Sequence, residues 1–165
     1  VLATPAEAAI VFLIPMLPIC IWVALSDLRR MKIPNRAVLA ALAVFAVLGP
    51  FVLDFGDYAG RCLHVAVVIV LGFLLNLVRL VGAGDAKFAA AMAPFVALAD
   101  LFAFIQLLAL VLIVVFALHR GLRSIGAVRR ALPGWESLTR KDFPMGLALG
   151  PALALYLGFA AAWGV

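Results

Sequence analysis

The chain has 165 residues, of which 68% are hydrophobic and only 13% charged. Soluble domains carry roughly 45–50% apolar and about 25% charged residues, and a soluble fold of this length lacks the interior to hide such an excess. Disorder is excluded because disordered chains are poor in apolar residues. The net charge of +5 therefore belongs to a membrane protein, where the position of each basic residue sets orientation, and nucleic acid is not an expected partner.

A helix needs about 20 apolar residues to cross a bilayer. Charges and turn residues divide the chain into runs at approximately 8–26, 36–53, 61–80, 85–99, 101–118 and 145–163. The expected fold is all-α: a polytopic bundle of about six transmembrane helices forming one integral-membrane domain over 1–165. The first run contains Pro15 and Pro18, which predict a kink facing protein, where neighbours can satisfy the freed carbonyls. The fourth run is the shortest and contains Pro94; a tilted or re-entrant segment fits it as well as a crossing.

With both termini outside, all of the 13 Lys and Arg residues except Arg61 fall on the inner side, as the excess of positive charge in inner loops requires. The outer side receives Glu7, Asp54, Asp57 and Asp100. The inner-face loop, 119–143, intersperses Leu122, Ile125 and Leu132 with Arg123, Arg129 and Arg130. That composition suits a segment lying on an anionic leaflet, or a solvated connection. The N-terminus has no basic n-region and carries Glu7, so the first run reads as a retained span and not a signal peptide. Cys20 and Cys62 form no CxxC pair and no Cys/His cluster, so neither a metal nor another cofactor is expected.

Acidic residues at span ends are costly and call for an explanation. Asp27 closes the first run and is followed by Ile33-Pro34-Asn35. Pro34 biases Ile33 toward an extended conformation, Asn35 suits the N-cap of the second helix, and Ser26 or Asn35 is available to orient Asp27. Asp85 opens the fourth run within Gly82-Ala83-Gly84-Asp85-Ala86-Lys87. Here Gly82 and Gly84 are expected to permit a tight turn. Lys87 lies about 200° around a helix from Asp85 and is expected to snorkel to headgroups. Asn76 reads as an interhelical hydrogen-bond partner. Both aspartates fall at one depth on the inner side. Two convergent carboxylates there can hold a water between them, one accepting its proton and the other donating to a carbonyl oxygen. A transporter would instead place its polar groups near the midplane, which is nearly free of charge here.

At these residues the chain resembles the type IV prepilin leader peptidases, membrane aspartic proteases of the GxGD class. Asp27 with Ile33-Pro34-Asn35 matches the family's first motif, and Gly82-Ala83-Gly84-Asp85-Ala86-Lys87 its second. The stretch from Phe143 to Ala152 is similar to the proline- and glycine-rich entry to the family's last span. The resemblance implies Asp27 and Asp85 as the catalytic pair, supported by Gly82, Gly84, Lys87, Ile33, Pro34, Asn35 and Ser26. Larger members carry a segment with paired CxxC motifs linked to zinc and N-methylation; this chain is similar to the short form found with tight-adherence (Flp-type) pili, or to archaeal preflagellin peptidases. Proteolysis is implied and methyl transfer is not. The implied substrate is a prepilin or pseudopilin precursor cut at the cytoplasmic face of the inner membrane, with anionic lipids and pilus assembly machinery as further partners. The alternatives are a non-enzymatic transporter or assembly subunit, and a GxGD protease with another substrate.

Overall fold

The structure is a computed structural model describing residues 1–165. In chain order its helices are α1 (Ala6–Arg30), α2 (Asn35–Val52), α3 (Phe55–Leu77), α4 (Ala83–Met92), α5 (Leu101–Ser124), α6 (Gly126–Ala131), α7 (Glu136–Thr139) and α8 (Gly146–Trp163). The only β pairing is an isolated bridge between Leu2 and Gly164. The protein is an all-α polytopic bundle, and five helical segments (α1, α2, α3, α5 with the turn before it, and α8) are long and apolar enough to cross a membrane.

The fourth run differs from a regular span. Its helix, α4, has only 10 residues, about 15 Å at 1.5 Å per residue. It tightens into a 3₁₀ turn at Ala93–Phe95, passes through extended backbone at Val96 and Ala97, and makes a second 3₁₀ turn at Leu98–Asp100. Pro94 is the cause: it has no N–H to offer the carbonyl one turn back, so the α-helical ladder stops there. In α1, by contrast, the helix runs through both prolines. Pro15 is half-buried, but Pro18 is exposed and does not face protein.

Helix α1 packs most extensively on α8, and α3 on α4. Both contacts are close because one partner lacks a side chain. A Cβ added at Gly150 would lie 2.6 Å from the Cys20 carbonyl oxygen, and one at Gly72 would lie 2.8 Å from the Ala86 Cβ. Without a hydrophobic drive between helices in lipid, such small-residue contacts supply the van der Waals attraction that holds them together. The core between them is aromatic: Phe12 meets Phe95 edge to face at 5.1 Å, and Phe45 stacks on Tyr58 at 5.3 Å. Large apolar side chains such as Ile14, Leu39, Phe102 and Ile113 point outward, where the solvent is lipid.

The end of the bundle carrying the termini is closed by a polar clasp. Asp100 is 4% exposed. Its carboxylate accepts from the backbone N–H groups of Ala3 (2.8 Å) and Thr4 (3.0 Å) and from the Tyr156 hydroxyl (2.7 Å). Arg61 is 1% exposed and donates to Asp57 at 2.9 Å and to the Phe95 carbonyl at 3.3 Å. Arg61 and Asp100 are thus buried fasteners, not solvated boundary charges.

At the opposite end, 119–143 is more ordered than a loop. Helix α5 continues to Ser124, and α6 and α7 follow. Arg123 and Arg120 donate to the carbonyls of Thr139 and Lys141, and the Arg29 guanidinium lies 5.6 Å over the Trp135 ring. His119 is buried, with its ring edge-on to Phe143 at 5.7 Å.

Candidate active site

Asp27 sits in the last turn of α1. Met31 adopts a left-handed conformation (φ 52°) and its N–H bonds back to the Asp27 carbonyl at 2.8 Å, which terminates the helix just past Asp27. Ser26 Oγ donates to the Lys32 carbonyl at 2.9 Å, so it pins the connecting segment instead of touching Asp27. Pro34 then takes the N-cap position of α2 and its carbonyl accepts from Ala37 and Val38. Asn35, expected at the N-cap, is the first helical residue, and no side chain caps this end.

Asp85 is the third residue of α4, counted from an N-cap at Gly82, where helix amides and the dipole favour an acidic group. The approach is made differently from the expected glycine turn. No glycine has a positive φ; the left-handed residue is Arg79, at φ 61°. Its N–H bonds to the Asn76 carbonyl at 2.9 Å, and Leu80 N–H bonds to the Leu75 carbonyl at 3.0 Å, a Schellman closure of α3. Asn76 Nδ2 adds a bond to the Val81 carbonyl at 2.8 Å, so it braces this turn and is not an interhelical partner. Gly82 leaves room for the Asp85 carboxylate where it stands: a Cβ there would lie 2.6 Å from Asp85 Oδ2.

Ile33 joins the two halves. It is buried, and Cβ atoms added at Gly84 and Gly146 would contact it at 3.6 Å and 3.1 Å respectively. The extended segment before Pro34 therefore wedges one apolar side chain between the start of α4 and the start of α8. Gly146 is a site residue that the sequence does not single out. Its N–H donates to Asp27 Oδ2 at 2.7 Å, and a Cβ on it would come within 3.1 Å of that oxygen. The glycine-rich entry to α8 was the available signal, but nothing in the sequence tied it to Asp27.

Asp27 and Asp85 line one cavity of about 630 Å³, together with Ile33, Asn35, Gly82, Gly84 and Lys87. Asp27 is 5% exposed and Asp85 half-buried, so both are partly withdrawn from water, while the cavity mouth is polar. Lys87 reaches this cavity despite its position around α4 from Asp85, because the opening is wide and the side chain long. Lys32 and Asp142 stand at the same opening and are exposed. Pro34 and Ser26 do not line it; they shape the segment that delivers Asp27 and Ile33. No group of three or more His, Cys, Asp or Glu side chains is arranged to hold a metal.

A family model described as the type IV leader peptidase family matches residues 11–118, more than half the chain and inclusive of both aspartates. No curated protein and no solved structure matches the chain. The chain belongs to the type IV leader peptidase family.

Proposed function

We propose that this member of the type IV leader peptidase family is an aspartic endopeptidase in which Asp27 and Asp85 activate one water molecule between them. The observation that carries the reading is that these two carboxylates, 58 positions apart in sequence, face a single cavity at one end of the bundle. Adjacent like charges disfavour joint ionisation, so such a pair shares a proton. The ionised member accepts the proton of the attacking water; the protonated member donates to the scissile carbonyl oxygen as the tetrahedral centre forms. Collapse of that centre breaks the C–N bond and returns a proton to the leaving amine. The Gly146 amide occupies Asp27 Oδ2, which leaves Oδ1 as the oxygen free to exchange a proton. Ile33 and the small residues at 82 and 84 hold the two carboxylates in register.

The substrate is a prepilin or pseudopilin precursor, cut between a short leader and an apolar helix. The end bearing the cavity also gathers the basic residues, which supports an orientation with this end on the cytoplasmic face of the inner membrane, both termini outside, and Arg and Lys side chains against anionic lipids. The whole of 1–165 acts as one domain, with pilus assembly machinery as a further partner. The test is incubation of the purified, reconstituted protein with such a precursor. Release of the leader by the wild type, and its loss in Asp27→Asn and Asp85→Asn variants that remain folded, is the expected result. Wild-type cleavage by either variant overturns the pair.

A further inference from the structure

Helices α3 and α5 are not packed substantially against one another; each is joined to the bundle mainly through α4 and α8 respectively. Between them lies an apolar trough of about 620 Å³. One wall is a stripe on α3, at Leu63, Val67 and Leu71; the other is a stripe on α5, at Leu101, Ile105 and Leu108. Both follow the three- and four-residue spacing of one helix face. The floor includes Ala89 of α4 and Ala93 of the 3₁₀ turn that continues it.

The floor fixes what the trough is aligned with. Asp85, Ala89 and Ala93 are four residues apart, so they share one face of α4 and the turn that continues it, and all three are half-buried while Ala86, Phe88 and Ala90 between them are buried. The same open face thus carries the proposed catalytic carboxylate at its start and the trough floor beyond it. The α3 wall from Gly60 to Leu71 runs about 16 Å at 1.5 Å per residue, roughly three helical turns. Short alanine side chains let a helix backbone come close, as in other helix contacts in lipid.

We infer that this trough receives the apolar helix of the substrate, the segment following the cut bond, and lays its inner end beside Asp85. The inference rests on the peptidase reading above and adds the surface that recognises the substrate. The gap left by the sparse packing of α3 and α5 is then the entrance, open sideways to the bilayer. The short α4 with its 3₁₀ continuation makes the floor recede and gives the occupant depth.

The test uses the full chain in lipid vesicles and two precursors, one with its complete apolar helix and one with that helix shortened to a few residues. Val67→Trp and Ala93→Trp narrow the trough; Ile113→Trp, on the lipid-facing side of α5, is the control. The trough variants are expected to lower the ratio of kcat/KM for the complete precursor over the shortened one by at least about ten-fold, and the control to leave it within about two-fold. A photoreactive residue at position 67, in an Asp85→Asn background, is expected to crosslink to the precursor's apolar helix. An unchanged ratio in Val67→Trp, or crosslinks to lipid alone, overturns the docking surface. Failure of the wild type to cut either precursor defeats the peptidase reading itself, a distinct result.

Discussion

The Gly146 backbone N–H donates a 2.7 Å hydrogen bond to Asp27 Oδ2 across 119 positions of sequence. The last helix therefore begins on the carboxylate that ends the first, and the tightest helix pair in the bundle, α1 with α8, is aligned at the cavity end by this bond. A methyl group at Gly146 meets Asp27 and Ile33 at 3.1 Å, tighter than ordinary contact. Gly146→Ala is expected to cut kcat at least about ten-fold with little change in the unfolding midpoint in detergent. Full activity in that variant contradicts a positioning role for the contact.

The two glycines before Asp85 separate by what a Cβ would strike. At Gly82 it meets the Asp85 carboxylate at 2.6 Å; at Gly84 it meets Ile33 at an ordinary 3.6 Å. The Asp85 side chain can rotate away, so Gly82→Ala costs little in folding, but it displaces the proposed catalytic group. Gly82→Ala is expected to lose much more activity than Gly84→Ala, with both variants folded by circular dichroism and thermal melting. The reverse order contradicts the geometry.

The clasp at the far end carries stability and not chemistry. Asp100→Asn keeps the shape, but either Oδ1, which accepts from Ala3, or Oδ2, which accepts from Thr4 and Tyr156, is replaced by an N–H₂ facing donors. An unsatisfied buried polar group costs about 1–3 kcal/mol, so the variant is expected to lower the unfolding midpoint measurably. Cleavage at temperatures where it is folded should stay near the wild-type rate. A large fall in kcat with unaltered stability contradicts the assignment.

Two non-glycine residues hold left-handed backbone, Met31 at φ 52° and Arg79 at φ 61°. That conformation costs an L-residue roughly 1–2 kcal/mol. Arg79 is exposed and closes α3 through its backbone alone, so Arg79→Gly is expected to stabilise the protein by about 0.5–1 kcal/mol and Arg79→Val to destabilise it. Equal midpoints for the two variants contradict the role of this turn.

How far the sequence reached can be judged from particular residues. The five long helices were legible because lipid imposes long apolar runs bounded by charge, and the family because Asp27 with Ile33-Pro34-Asn35 and Asp85 with its glycines stand out in such a chain. The 3₁₀ continuation of α4 was legible only as a short run with Pro94, since helix type there depends on which carbonyls find donors. Arg61 and Asp100 read as boundary charges, because burial of an ionic group is set by partners from distant segments, here Thr4, Phe95 and Tyr156. The conformational freedom of Gly82 and Gly84 marks them, in sequence, as the turn before α4. The structure gives that task to Arg79 and leaves Gly82 a steric one. Gly146 was missed because a backbone N–H carries no side-chain signature.

The most direct measurement is single-turnover cleavage of a prepilin precursor by Asp27→Asn, Asp85→Asn and the double variant. Groups that act as one unit are non-additive. Each single variant is expected to lose at least about a thousand-fold in rate, and the double variant to be no slower than either. Multiplying losses, or a single variant cutting at the wild-type rate, would contradict a water held jointly by the two carboxylates.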